Sequence, residues 1–256
     1  ARGLCAPNEV SVRALCALRG ELAYHSGMLD VMLVMQGLGS YALACAGPPG
    51  QKGGLCEREL AGVARGQRVA AFALTEPGAG SDLSQVATRA EKSGARWRLG
   101  GAKTFISNAG IADFYTLLAR TSLAPGERGG LSMFHVPAEA VTVKRFEVMA
   151  PHPIGELELD GALLDDEHRI GAEGAGLEIA LRVLGRFRTS VAAAATGFAR
   201  RALNESLRHL KAREQFGRPL ASFQGLRFDL AEMDTRLRAA ELLVDEASAL
   251  SDAGRP

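Results

Sequence analysis

The chain has 256 residues, 47% of them hydrophobic, which is ample for one large domain or two of ordinary size. Its 30 basic and 29 acidic side chains leave a formal charge of +1, so no global field favours nucleic acid or an anionic membrane surface, and recognition must be local. Cys5, Cys16, Cys45 and Cys56 form no C-x-x-C pair and meet no histidine at metal-ligand spacing. That pattern excludes a disulfide framework or a zinc site as an organising feature and points to buried thiols in a reducing, cytoplasmic compartment.

Residues 9–64 read as helical. Val10, Ala14, Leu15, Leu18 and Leu22 recur at three- and four-residue spacing, and Met28, Met32, Met35 and Leu38 repeat the pattern. The apolar run Met28 to Ala46 approaches the roughly 20 residues of a spanning helix. Asp30, Gln36, Gly37 and Gly39 interrupt it, so it is expected to be a core helix and no membrane span. No basic-then-apolar leader precedes it. Gly47-Pro-Pro-Gly50 breaks the chain, and a short helix from about Glu57 to Ala64 follows.

From Val69 to about Ile170 the texture is that of strands. Arg96 to Leu99 and Glu156 to Asp160 alternate polar and apolar residues. Phe114 to Ala119, Leu131 to Val136 and Val141 to Val148 are further strands, separated by Pro125-Gly126, Gly129-Gly130 and Pro137. Short strands at this spacing predict a β-barrel or sandwich. The helical period returns at Leu177 and runs through Leu181, Leu184, Val191, Ala195, Phe198, Ala202 and Leu210, with Gly185 and Gly197 expected to weaken it. Gly217-Arg-Pro219 ends that helix, and Ser222 is the expected N-cap of a second one carrying Leu226, Leu230, Met233, Leu237 and Val244. Two such stripes need further helices or subunits to cover them. The fold class is therefore α+β multidomain: an N-terminal helical domain (1–68), a central β-barrel or sandwich domain (69–172) and an incomplete C-terminal helical bundle (173–256). The turn-like end Asp252-Ala-Gly-Arg-Pro256 and the start at Ala1 suggest a fragment of a longer protein.

The first boundary carries Phe72-Ala-Leu-Thr-Glu-Pro-Gly-Ala-Gly-Ser-Asp82, an apolar strand running into a loop. Pro77-Gly78 is turn chemistry, because proline presets φ and glycine tolerates positive φ. Gly78 and Gly80 also bare the backbone, so the same loop suits close approach to a flat ring or a phosphate. On their own Phe105 reads first as strand core and Arg213 as a solvated helix-end cation.

Four segments in order resemble the flavin-dependent acyl-CoA dehydrogenases: the Thr75-Glu-Pro-Gly-Ala-Gly-Ser-Asp82 loop, Gly101-Ala-Lys-Thr-Phe-Ile-Ser-Asn108, Gly174-Ala-Gly-Leu177, and Arg213-Glu-Gln-Phe-Gly-Arg-Pro-Leu220 with Phe223-Gln224. The resemblance implies FAD as cofactor, an acyl-CoA substrate oxidised to a trans-2-enoyl-CoA, an electron-transfer flavoprotein as electron acceptor, and a homodimer or homotetramer. It implies that Phe72, Leu74 and Thr75 border the flavin ring, that Ser81 lies near the pyrophosphate and the acyl-CoA, that Phe105 packs on the ring and that Ser107 bonds it. Arg213 and Gln224 would reach the pyrophosphate and adenine side of a flavin held by a neighbouring subunit, and Arg188 would lie near the acyl group. An oxygen-using oxidase or monooxygenase, or a non-catalytic assembly subunit, would share the scaffold.

Two departures stand out. The family's catalytic carboxylate has no counterpart: Gly185-Arg-Phe-Arg188 holds none, and Glu76 matches a structural position, so no catalytic residue is assigned. Met149-Ala-Pro-His-Pro-Ile-Gly155 replaces the usual arginine and serine of a CoA-binding segment. His25, His135, His152, His168 and His209 read as structural or surface residues, with no metal site among them.

Overall fold

A computed structural model describes residues 10–45, 54–122 and 130–255. The expectations for Cys5, Gly47-Pro-Pro-Gly50, Pro125-Gly126, Gly129 and Pro256 lie outside those residues. The described helices are α1 (Val12–His25), α2 (Gly27–Cys45), α3 (Leu55–Ala64), α4 (Gly176–Ala212) and α5 (Gln224–Asp252). The strands are β1 (Ala70–Ala73), β2 (Arg89–Ser93), β3 (Arg96–Ser107), β4 (Phe114–Arg120), β5 (Leu131–Pro137), β6 (Thr142–Arg145), β7 (Ile154–Asp165), β8 (Arg169–Ile170), β9 (Glu214–Gln215) and β10 (Arg218–Pro219). Residues 32–185 form one compact unit, and residues 11–31 with 186–256 form another. Thus α1, expected at the front of an N-terminal domain, clusters with the C-terminal helices.

In the first unit one eight-stranded sheet runs β6-β7-β3-β2-β4-β5-β8, with β1 pairing parallel to β4. No ladder joins the edge strands β6 and β8 among the described residues, so the expected barrel or sandwich is present as a single sheet without hydrogen-bonded closure. The sheet brings Trp97 on β3 edge-on to Phe134 on β5, ring centroids 5.5 Å apart, although two strands separate them in the order. One face thereby buries Leu99, Ile106, Tyr115, Leu117, Val136, Leu157 and Leu159 together. All seven residues of β4 are buried, because its other face is covered too. There Thr116 Oγ1 donates to the Gly39 carbonyl of α2 at 3.0 Å, and Gly39 approaches so closely that a Cβ would meet the Ala71 amide nitrogen at 2.6 Å. Strand β2 carries a single buried residue, Ala90, among exposed neighbours, which is why its apolar signal is weak.

The second unit is helical. Gly197, expected to weaken α4, sits within an unbroken helix of 37 residues. A Cβ there would meet the Gly20 carbonyl oxygen of α1 at 2.3 Å, so the glycine is required for two backbones to touch. Arg19 lies in the same contact, buried and bidentate to Asp30 at 2.7 Å through each nitrogen, with Ser190 Oγ at 2.9 Å. That pairing accommodates the charge at the start of α2. The last residue of α5 also caps α1: Asp252 accepts from Val12 N at 2.7 Å, Arg13 N at 3.1 Å and Ser11 Oγ at 2.8 Å. Ser222 is not the N-cap of α5. Phe223 takes that position, while the Ser222 hydroxyl donates back to the Pro219 carbonyl within a 3-10 turn. On α5 Leu237 and Val244 are buried, whereas Phe228, Met233, Leu242 and Leu243 remain exposed.

Candidate flavin-binding site

Strand β1 delivers Phe72, half-buried, and the chain continues through Leu74 and Thr75 into a tight turn. Glu76 and Ala79 exchange backbone hydrogen bonds at 2.9 and 3.1 Å across Pro77-Gly78. Gly78 does not use positive φ, contrary to the expectation from its turn chemistry. A Cβ on Gly78 or Gly80 would meet nothing within 4 Å, so neither glycine is demanded by the chain's own packing. The open space in front of this loop suits a ligand that approaches the bare backbone.

A buried ion pair fixes the loop from behind. Lys103 on β3 has no exposed surface, and its Nζ donates to Glu76 Oε1 at 2.7 Å and to the Leu74 carbonyl at 3.0 Å. Glu76 also accepts from Ala87 N at 2.7 Å and Thr88 N at 3.1 Å. Burial acts to raise the Glu76 carboxyl, but the Lys103 charge and hydrogen bonds from Lys103, Thr88 and Ala87 outweigh it and hold the carboxyl below its ordinary value. Burial draws Lys103 down to about 8, against the pull of Glu76. Glu76 is therefore an ionised anchor with both oxygens engaged, which removes it as a general base. Asp82 is likewise engaged, accepting from Ser84 N and Oγ and from Gln85 Nε2, while Ser81 beside it is exposed.

The bond from Thr104 N to the Thr75 carbonyl, 2.9 Å, ties the middle of β3 to this loop. The register of β3 against β7 slips between Lys103 and Ile106, and Phe105 occupies that bulge at φ 55° with 66% of its surface exposed. A bulky residue in the left-handed region carries strain, and an exposed ring gains nothing from the core to offset it. Phe105 meets only Phe146 edge-on among described aromatic rings, at 5.5 Å, leaving an apolar surface that a flat ring could cover. Two residues on, Ser107 is half-buried and its hydroxyl lies 3.0 Å from His152 Nε2. The residues Phe72, Leu74, Thr75, Phe105 and Ser107 are thus brought to one region of the sheet unit, and together they fit an isoalloxazine ring: an apolar wall, open backbone and two hydroxyls.

The helical unit presents a second group. Arg213 ends α4, its carbonyl accepting from Leu220 N at 2.8 Å. Between them β9 and β10 form a hairpin whose turn residues Phe216 and Gly217 both have positive φ, 55° and 73°. That is the two-residue turn matching strand twist, yet phenylalanine is a costly choice for it. Phe216 is 91% exposed. Arg218 lies 4.2 Å over the ring of Phe223, and Gln224 is exposed at the start of α5. Arg213 makes no ion pair with a described residue. Exposed guanidinium and aromatic groups at one tip suit a phosphate and an adenine. Phe216 and Arg218 were missed from the sequence; the Phe-Gly pair at a hairpin turn was the available signal. Arg188 is exposed on α4, and Arg186, two residues before it, pairs with Asp252 at 3.6 Å.

Among the described residues no three His, Cys, Asp or Glu side chains are placed to hold a metal ion. Buried His135 stacks on Phe114 and contacts His168 Nδ1 at 3.2 Å; burial, with smaller effects of His168 and Arg68, pushes it down to about 3. His152 is half-buried and bonds Ser107, a candidate site residue.

An exposed aromatic side chain beside open backbone on a sheet suits contact with a flat organic cofactor. The match to known proteins is specific: residues 71–162 fit the middle domain of acyl-CoA dehydrogenase and residues 174–256 its C-terminal domain, and the chain belongs to the acyl-CoA dehydrogenase family. It is 38% identical over 203 residues to a 3-(aryl)acrylate reductase of Clostridium sporogenes, covering 77% of this chain and 54% of that protein. It is 36% identical over 205 residues to the caffeyl-CoA reductase-Etf complex subunit CarC of Acetobacterium woodii, covering 77% and 53%. Among solved structures it is similar to butyryl-CoA dehydrogenase from Megasphaera elsdenii, with TM-score 0.88 and 31% identity over 97% of this chain and 66% of that one. It also resembles the FAD complex of PigA, with TM-score 0.87 and 26% identity over 97% and 66%. The chain spans about half the length of these two curated relatives.

Proposed function

We propose that the chain is the flavin-binding part of an FAD-dependent oxidoreductase that interconverts an acyl-CoA thioester and its trans-2-enoyl-CoA, working with an electron-transfer flavoprotein. The observation that carries this reading is Phe105, exposed and strained at a bulge beside a loop whose glycines face open space. FAD, when bound, supplies the two-electron acceptor or donor. Phe105, Phe72 and Leu74 form its apolar wall, Thr75 and Ser107 supply polar contacts to the ring edge, and Ser81 serves the pyrophosphate and the acyl-CoA. Arg213 and Gln224 serve the phosphates and adenine of a flavin on a neighbouring subunit, in a homodimer or homotetramer. The apolar residues left exposed on α5 and at the hairpin tip support such an assembly.

Arg188 stands as an acyl-CoA contact. None of these residues is assigned as the base for the α-proton. The unpaired thiols of Cys16, Cys45 and Cys56 support a cytoplasmic setting, and fatty acid metabolism is the expected context. The likeness to two reductases favours a second direction of the same chemistry, reduction of an enoyl thioester. Loading the intact protein with FAD and adding acyl-CoA under anaerobic conditions tests the first direction by loss of the visible flavin band. Chemically reducing the flavin and adding enoyl-CoA tests the second by its return. Rapid peroxide release would instead indicate an oxidase, and a protein that takes up no FAD would overturn the reading in favour of an assembly subunit.

A further inference from the structure

The segment Met149 to Gly155, one of the departures from the family's pattern, places its histidine beside a candidate site residue. His152 precedes Pro153, which restricts the His152 backbone to extended conformations. The Pro153 carbonyl accepts from Asn108 N at 2.7 Å, and Ser107 and Ile154 are register partners on β3 and β7. These bonds hold the imidazole over β3, where its Nε2 lies 3.0 Å from Ser107 Oγ. A serine hydroxyl has one proton to give. If the imidazole accepts, that proton is consumed; if it donates, the proton remains available to a third group.

We propose that His152 is a positioning residue of the flavin site, donating its Nε2 proton to the Ser107 hydroxyl so that the hydroxyl proton is directed to an acceptor on the flavin ring. The inference rests on the reading of Ser107 as a flavin contact. Burial alone lowers the pKa of His152, with no charged side chain contributing, so the imidazole is the neutral form at neutral pH and its tautomer decides the matter.

Nitrogen-15 NMR of histidine-labelled, FAD-free full chain should show His152 protonated on Nε2; an unprotonated Nε2 would overturn the proposal. FAD titrations supply the second arm. Ser107→Ala and His152→Leu should each weaken FAD binding about five-fold, the value of one hydrogen bond, and each should shift the visible flavin band in the same sense. The double variant should bind no worse than Ser107→Ala alone, since both remove one interaction. His152→Gln, which keeps an amide donor, should return affinity to within about two-fold of the natural protein. Additive losses, or His152→Leu binding and absorbing like the natural protein, would refute the role of His152 while leaving the flavin site standing. Failure of the natural protein to bind FAD would refute both.

Discussion

The loop at Thr75–Gly80 and the hairpin tip at Arg213–Gln224 are both candidate cofactor surfaces, yet they are built in opposite ways. Behind the first, every oxygen of Glu76 has a donor and Lys103 is enclosed, so the chain itself supplies the support. At the second, Phe216 is nearly fully exposed in a left-handed turn and Arg213 lacks a carboxylate partner among described residues. Under the proposed function the supported loop serves a ring held by the same chain, and the unsupported aromatic tip packs on a group outside it. Strain that the fold does not need is expected where binding uses it.

The contrast can be broken most sharply at Lys103. Its replacement by alanine leaves Glu76 charged in the interior, and urea unfolding should show a loss of about 3–5 kcal/mol; a loss below about 1 kcal/mol would mean that the pair is dispensable. The sheet unit should also be acid-sensitive through His135, whose folded pKa of about 3 lies below its ordinary 6.5. The unfolded chain then binds more protons within that window, so the contribution is complete above it and is lost on acidification, at up to about 1.4 kcal/mol per pH unit. His135→Phe should flatten that part of the stability profile. In the helical unit, Asp252→Ala should cost about 1–2 kcal/mol by uncapping α1, and helix fraying by hydrogen exchange should localise to residues 11–14. The smallest effect on folding falls at the tip. Phe216→Gly relieves the left-handed backbone and should be neutral or stabilising by up to about 1 kcal/mol, while reducing FAD retention about ten-fold if the tip packs on adenine. Equal losses of stability at Lys103 and Phe216 would erase the distinction between the two surfaces.

Most of the fold was legible because its signals are periodic. The alternation at Arg96–Leu99 marks the start of β3, and the three- and four-residue spacing after Leu177 marks α4. Strand β2 escaped because it is charged and mostly exposed, and β8 because two residues carry no period. Gly197 misled for a physical reason: local propensity counts glycine against a helix, but a helix-to-helix backbone contact requires it. The candidate ring contacts come from motif resemblance rather than from burial or spacing. The link from Ser107 to His152 was not legible, since 45 positions separate them and only the β3–β7 register brings them together.

The cap that Asp252 places on α1 has a consequence for motion. Residues 11–13 and residue 252 are far apart in sequence but share one carboxylate, which makes the helical unit a closed ring with a noncovalent clasp. The first turn of α1 and the last of α5 should therefore loosen and tighten as one event. A spin label or fluorophore at either end would report on the other.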